Sequence, residues 1–383
     1  MTKSYSAFTS EIDDIELAVS EIIAQLNPEK NCLKSTAALV TCYYEFATNR
    51  IIAELYKKLN FPIIGTTTTA VATNKGAGQL EMAVVMFTSD DVTFTAACSP
   101  PLKNELELHF TEMYKKALVG HTEKPKLIIS AAPLMLNYAG DHYVETLSKV
   151  SDGVPNFGTM AIDDTQDYKN SYTVYNDKVE KDVYAIIMAS GNIDPKFVYA
   201  SFSPDCILAE TATITKADGN LIKEINGLPI IKYMETIGLA SGGKISDVLH
   251  SIPFVLDYNG EGVPISRVLM AWSDDGYGMC GGLMPEGVKF NLGTWDKSDV
   301  LNTTFNTILN ILAEKKSTLL LYSCLARSYA LGSDIMAEIE EIKKLIGDKV
   351  PYLFSYSGGE ICPVRDTPNS NNFHNNTIIA CTF

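Results

Sequence analysis

Thr318-Leu-Leu-Leu-Tyr-Ser-Cys324, a segment with Ile335, Ile339, Ile342 and Ile346 at helical spacing, and Val350-Pro-Tyr-Leu-Phe354 make up the stretch whose reading decides the fold. An apolar run without alternation predicts a strand covered on both faces, and the helix after it predicts the crossover to a parallel neighbour. Proline as second residue of the last run forgoes one ladder donor, which a strand tolerates at its first residues. The same order occurs twice more. It is found in Ala37-Ala-Leu-Val-Thr-Cys42, the helix with Ile51, Ile52, Leu55 and Leu59, and Phe61-Pro-Ile-Ile-Gly65. It returns in Lys126-Leu-Ile-Ile-Ser130, the helix with Val144 and Leu147, and Val154-Pro-Asn-Phe-Gly158. Three copies point to duplication of one unit.

Hairpin patterns lie between the copies. Glu81–Phe87 and Val92–Ala97 flank Ser89-Asp90-Asp91, Tyr172–Tyr175 and Val183–Met188 flank Asn176-Asp177, and Thr211–Thr215 and Leu221–Ile225 flank Ala217-Asp218-Gly219-Asn220. Such turn residues predict antiparallel pairs, so the fold class is α/β with mixed α+β character. Two packed domains are expected, with mixed sheets built from strand-helix-strand units plus antiparallel hairpins. A chain of 383 residues suits two cores, and Phe202-Ser-Pro-Asp205 is the expected boundary, giving domains 1–203 and 204–383. Ser10 is placed as the cap of a first helix that Pro28 stops.

Hydrophobic residues at 46% and charged ones at 20% describe an ordinary globular chain. A net charge of −15 argues against a sequence-independent grip on nucleic acid or an anionic membrane. The apolar runs are too short and too often broken to span a bilayer, and the first ten residues lack the apolar core of a signal peptide. Eight scattered cysteines without metal spacing predict reduced core residues, a cytoplasmic location and no metal. No nucleotide, esterase or metalloprotease motif is present. Gly276-Tyr-Gly278-Met-Cys-Gly281 matches a dinucleotide fingerprint in letters only, because β-type residues and Pro285 follow it instead of a helix. Four histidines, His109, His121, His142 and His250, stand alone as solvated or capping groups. No cofactor is expected.

The reactive side chains gather past the last two predicted strands of the third copy. Cys324 and Arg327 follow one strand, Tyr356, Gly358, Gly359 and Glu360 the other, and Phe373, His374 and Asn375 enter a further strand. Strand carboxyl ends beside helix N-termini are where open α/β sheets build ligand crevices. Arg327 could take a carboxylate bidentately and Glu360 an ammonium group, a pairing that suits a zwitterion such as an amino acid. Tyr356 and Phe373 would wall the pocket, and His374 and Asn375 would add directional hydrogen bonds. Two alternatives stand beside this. Arg327 and Glu360 could simply pair with each other, or Cys324, His374 and Glu360 could form a thiol hydrolase.

The same residues carry a family resemblance. Cys324-x-x-Arg327, Tyr356-x-Gly358-Gly359-Glu360-Ile-x-Pro363 and Phe373-His374-Asn375 resemble the closing motifs of the FIST sensory domain. Ile225-Asn226-Gly227-Leu-Pro229 resembles the start of its C-terminal half. Phe61-Pro-Ile-Ile-Gly65-Thr-Thr, Val154-Pro-Asn-Phe-Gly158 and Ala161-Ile-Asp-Asp164 resemble its N-terminal half. The family's Gly-Cys-Ser/Thr turn reads Gly65-Thr66-Thr67 here. The resemblance implies a sensory protein of signal transduction that binds a small molecule such as an amino acid, with a separate signalling protein as its partner. A hydrolase and a plain interaction scaffold are the competing functions.

Overall fold

Apolar runs without alternation do become parallel strands buried on both faces. In the computed structural model, which describes residues 2–103, 105–165, 167–201, 203–242, 244–245, 252–256, 264–365 and 370–383, the three copies pair alike. Leu39 lies opposite Ile64, Ile129 opposite Phe157 and Leu320 opposite Leu353, each in a parallel register. Each pair is joined by helix, the longest pieces being Ile51–Leu59, Gly140–Ser151 and Ala337–Ile346.

Every copy is the centre of a six-stranded sheet with one common order. An outer strand (Lys3–Thr9, Val92–Cys98 or Lys196–Ala200) flanks a return strand (Met82–Ser89, Ala185–Gly191 or Ile378–Thr382), which runs antiparallel to the first strand of the copy. Beyond the second strand the sheet is completed by a hairpin from a different copy. Ala70–Ala72 and Ala77–Gln79 leave the first copy for the sheet of the third. Thr173–Tyr175 and Lys178–Glu180 leave the second for the first. Glu360–Pro363 and Asn371–His374 leave the third for the second. The loan is cyclic, so no sheet is made by one copy alone.

This exchange corrects two of the expected hairpins. Met82–Ser89 and Val92–Cys98 belong to different sheets, and the turn at 89–91 carries the chain between them. Asn176-Asp177 closes the pair Thr173–Tyr175 with Lys178–Glu180, while Ala185–Gly191 lies between Leu127–Ala132 and Val92–Cys98. The third expected hairpin forms as read, with Ile207–Asp218 antiparallel to Leu221–Ile225. The first helix runs from Ile15 to Leu26 and is capped by Asp14, whose side chain accepts the Leu17 amide, rather than by Ser10. Asp14 supplies the same oxygen closer to the apolar face it starts.

The three sheets share one interior. Alternation decides which residues fill it. Leu39, Ile64, Val85, Ile129, Phe157, Ile187, Leu320, Leu353 and Ile379 point inward as one cluster. Their neighbours Val40, Ile128 and Leu321 point outward under helices, and each sheet has its own helix-covered cluster. Between the third outer strand and the helix Lys297–Leu312 an extra eight-stranded sheet is inserted, spanning 207–293 with a core of its own. Gly278–Cys280 is a strand of that sheet, paired with Leu269–Trp272, so the glycine-rich stretch is strand-turn-strand. A buried ion pair fastens the insert to the helix Gly140–Ser151. Arg267 Nη2 donates to Asp141 Oδ1 at 2.5 Å, and the Leu283 amide donates to Asp141 Oδ2 at 2.8 Å. All eight cysteines are free. Among the described residues no helix is long and apolar enough to cross a membrane, and no acid, histidine and cysteine cluster could hold a metal. His250 lies outside the described residues, as does Phe202 at the expected boundary.

Candidate functional site

The interior changes character at the carboxyl end of the parallel strands. One residue pair beyond Leu39, Ile64, Phe157 and Leu353, the inward positions become Thr41, Thr66, Thr159 and Ser355. The lent hairpins add Thr173 opposite Thr66, Glu360 opposite Thr159 and Val71 opposite Ser355. Cross-strand partners share a face, so each sheet presents an inward set at this level, Thr41, Thr66 and Thr173 in the first, Thr159 and Glu360 in the second, and Ser355 and Val71 in the third, and these three sets make up the inward row. Thr41, Thr66, Thr173, Ser355 and Glu360 are each at most 1% exposed. Thr41 Oγ1, Thr66 Oγ1, Thr173 Oγ1, Ser355 Oγ and Glu360 Oε1 have no hydrogen-bond partner. Buried polar atoms without partners are uncommon, and a group of them calls for an explanation.

Glu360 is the acid of that row. Its Oε2 accepts from Thr377 Oγ1 at 2.7 Å, while Oε1 is unpartnered. Burial pushes its carboxyl up to about 8, against smaller opposing effects from Thr377, Arg327 and Ser357. His374 lies directly across the strand from it. The His374 Nε2 is 3.1 Å from the Cys362 carbonyl and its ring stacks on Tyr199 at 5.2 Å. Burial holds this imidazole down to about 4, so it is neutral.

Arg327 goes elsewhere, which corrects the expected charge clamp. Its guanidinium, 0% exposed, donates from Nη2 to Glu338 Oε1 at 2.8 Å, and Glu338 is also 0% exposed. Further bonds run to Ser323 Oγ, Thr304 Oγ1 and the Val300 carbonyl, and Trp295 covers the group at 5.5 Å. Ser323 continues the outward side of its strand, after Leu319 and Leu321, so Arg327 is held in the helix layer. Glu360 leaves on the lent hairpin and faces the interior. Arg327 therefore pairs neither with a ligand beside Glu360 nor with Glu360 itself.

The remaining expected residues divide between faces. Cys324 is 2% exposed, and burial, followed by the charge of Glu360, raises its thiol well above the ordinary range. His374 Nε2 lies against the Cys362 carbonyl and not against this sulfur. Tyr356 points outward into the helix-covered cluster, its hydroxyl 3.5 Å from the Ile335 carbonyl. Phe373 also points outward, against Gly140 and Gly359, with Arg267 5.7 Å from its ring. Gly358 donates its amide to Met160, and a Cβ there would come within 2.7 Å of the Ala161 carbonyl oxygen. Gly359 has no room because of Phe373. Asn375 is fully buried with both amide atoms unpartnered, near Gly281 of the inserted sheet. Of the expected set, Glu360 and His374 share the inward row, with Cys324 adjoining them.

Thr41, Thr173 and Ser355 were not expected. The signal was present as a spacing: Thr66, Thr159 and Ser355 each follow the strand proline by four residues, at Pro62, Pro155 and Pro351. A hydroxyl at one repeated inward position of an otherwise apolar strand is a polar group that needs a partner.

The FIST N domain matches residues 36–228 and the FIST C domain residues 232–363, the second match taking in Cys324, Arg327 and Glu360. The chain is also similar to the crystal structure of cyanuric acid hydrolase from A. caulinodans, at 9% identity over 100% of this chain and 99% of that one, with a TM-score of 0.34. At that level neither fold nor activity transfers. No curated protein matches the sequence. Domains of the FIST type are sensory, ligand-binding domains of signal transduction, and with both halves matched in order this chain belongs to the FIST family.

Proposed function

We propose that the protein is a cytoplasmic small-molecule sensor whose ligand, an amino acid or related small metabolite, sits against the inward row around Glu360, and whose bound state is read by a separate signalling protein. The observation that supports this is the set of five unpartnered oxygens in one buried layer, drawn from all three copies. A ligand there would touch every sheet at once, and the lent hairpin that carries Glu360 also begins the connection to Asn375 and Asn376. Asn376 Nδ2 donates to Ser266 Oγ of the inserted sheet at 2.7 Å, which gives the ligand site a direct link to that surface.

A binding role is favoured over a thiol hydrolase because the Cys324 thiol is held protonated and its expected base bonds elsewhere. The test is a melting-temperature panel of amino acids, small amines, amides and carboxylates on wild type, Glu360→Gln and Thr66→Val. The expected result is a rise for wild type with one compound class that both variants lose. A compound that stabilises wild type and both variants equally would place the site elsewhere.

A further inference from the structure

If the inward row is the ligand site, as proposed above, its chemistry selects what can occupy it. We infer that the row receives a compact ammonium group, free or as the primary amine of a metabolite, held by the Glu360 carboxylate and by the hydroxyl oxygens of Thr41, Thr66, Thr173 and Ser355.

Three observations carry this. All five unpartnered atoms of the row are oxygens, and an ammonium group offers three or more N–H donors to such a set. The two fully buried arginines make their ion pairs outside the row, Arg327 with Glu338 and Arg267 with Asp141, so among the described residues no cation is hydrogen-bonded to Glu360, and the Arg327 charge acts on it only weakly beside burial. The inward neighbours are small beside Thr41 and Thr159, with Ala83 and Ala131 opposite them, and large beside Ser355, which Tyr322 and Val71 flank; this crowding suits a compact head group over a bulky quaternary one.

The charge balance makes the inference measurable. The titratable and charged groups around Glu360 are His374 across the strand, held neutral, Cys324 at the neighbouring strand end, held as a thiol, and Arg327, already paired with Glu338. None of them changes charge near neutrality. Glu360 does, since burial places its carboxyl at about 8. At pH 7 it is mostly protonated, and an ammonium group bound beside it displaces that proton to the buffer. Binding should therefore release close to one proton, and affinity should rise by about tenfold per pH unit below pH 7 before levelling above about pH 8.

The experiment is titration calorimetry with methylammonium chloride and with ammonium chloride, in two buffers of different ionisation enthalpy, with potassium chloride at equal ionic strength as control. A stronger response to methylammonium points to a metabolite amine as the source, and a stronger response to ammonium points to the free ion; both support the inference. Glu360→Gln should stay folded, release no proton and bind at least about tenfold more weakly. Equal responses to potassium and the amines would overturn it. Tighter binding of neutral acetamide, without proton release but still lost in Thr66→Val, would also overturn it while leaving the row as the ligand site. Responses unchanged in both Thr66→Val and Glu360→Gln would remove the site reading as well.

Discussion

Glu360 and His374 face each other across two strands, and burial moves their pKa values in opposite directions, so the fold carries a pH signature with two limbs. The carboxyl rises from 4.5 to about 8 on folding, so the folded state binds more protons and its stability is lost as pH climbs through that window. The imidazole falls from 6.5 to about 4, so its contribution is present above 6.5 and lost as pH falls through 4. The two offset each other in acid, and the Glu360 limb stands alone between about pH 6.5 and 8. Glu360→Gln should therefore gain on wild type by about 1.4 kcal/mol per pH unit across that range, measured by urea unfolding. An unchanged difference would mean the carboxylate is already ionised in the fold. Arg327 has a different role. Arg327→Ala leaves Glu338 buried without its partner and should cost about 3–5 kcal/mol, where an exposed clamp residue would cost little. Joint replacement by Met and Leu should restore most of that loss. The sequence showed both charges but not their pairing, because Glu338 sits one residue before Ile339 of a convincingly amphipathic helix and reads as a solvated neighbour of that face.

At the scale of elements, the parallel strand-helix-strand unit was legible because its signal is local: an apolar run, a helical period and a proline. Which hairpin completes which sheet was not, since Ser89-Asp90-Asp91 has the composition of a hairpin turn whether or not its two strands bond to each other. The close approach of the paired strands is visible at Gly65 and Gly158. A Cβ at Gly65 would lie 1.8 Å from the Val40 carbonyl oxygen, and one at Gly158 would lie 2.5 Å from that of Ser130. Both clashes are with backbone of the neighbouring strand, which cannot move without disturbing the ladder. Gly65→Ala should therefore destabilise by about 1–3 kcal/mol or more, and by more than Gly158→Ala, where the gap is wider. The equivalent position in the third unit is Phe354, whose side chain has an outward pocket under the helices. Equal stability of Gly65→Ala and wild type in chemical denaturation would contradict this packing.

At the scale of the whole molecule, the cyclic loan of hairpins decides how the chain can come apart. Cutting at 203/204 gives one fragment whose second sheet lacks Glu360–Pro363 and Asn371–His374, and another whose sheet lacks Ala70–Ala72 and Ala77–Gln79. The outer strand Lys196–Ala200 would stay with the first fragment although it pairs with Ile378–Thr382 in the second. Each fragment would expose sheet edges and part of an interior cluster that is shared among all three sheets. The matched family halves meet between residues 228 and 232, inside the inserted sheet, yet the same strand exchange crosses that seam too. Residues 1–203 and 204–383 should therefore each be unfolded or aggregated when produced alone, judged by lost amide protection. Produced together, they should copurify and melt in one transition, since the three sheets are complete only when both supply strands. An independently folded 1–203 fragment with a cooperative melt of its own would show that the lent hairpins are accessory. The inward row would then have to form without Glu360, and a ligand held across all three sheets could no longer be the reason for the fold's interlocking.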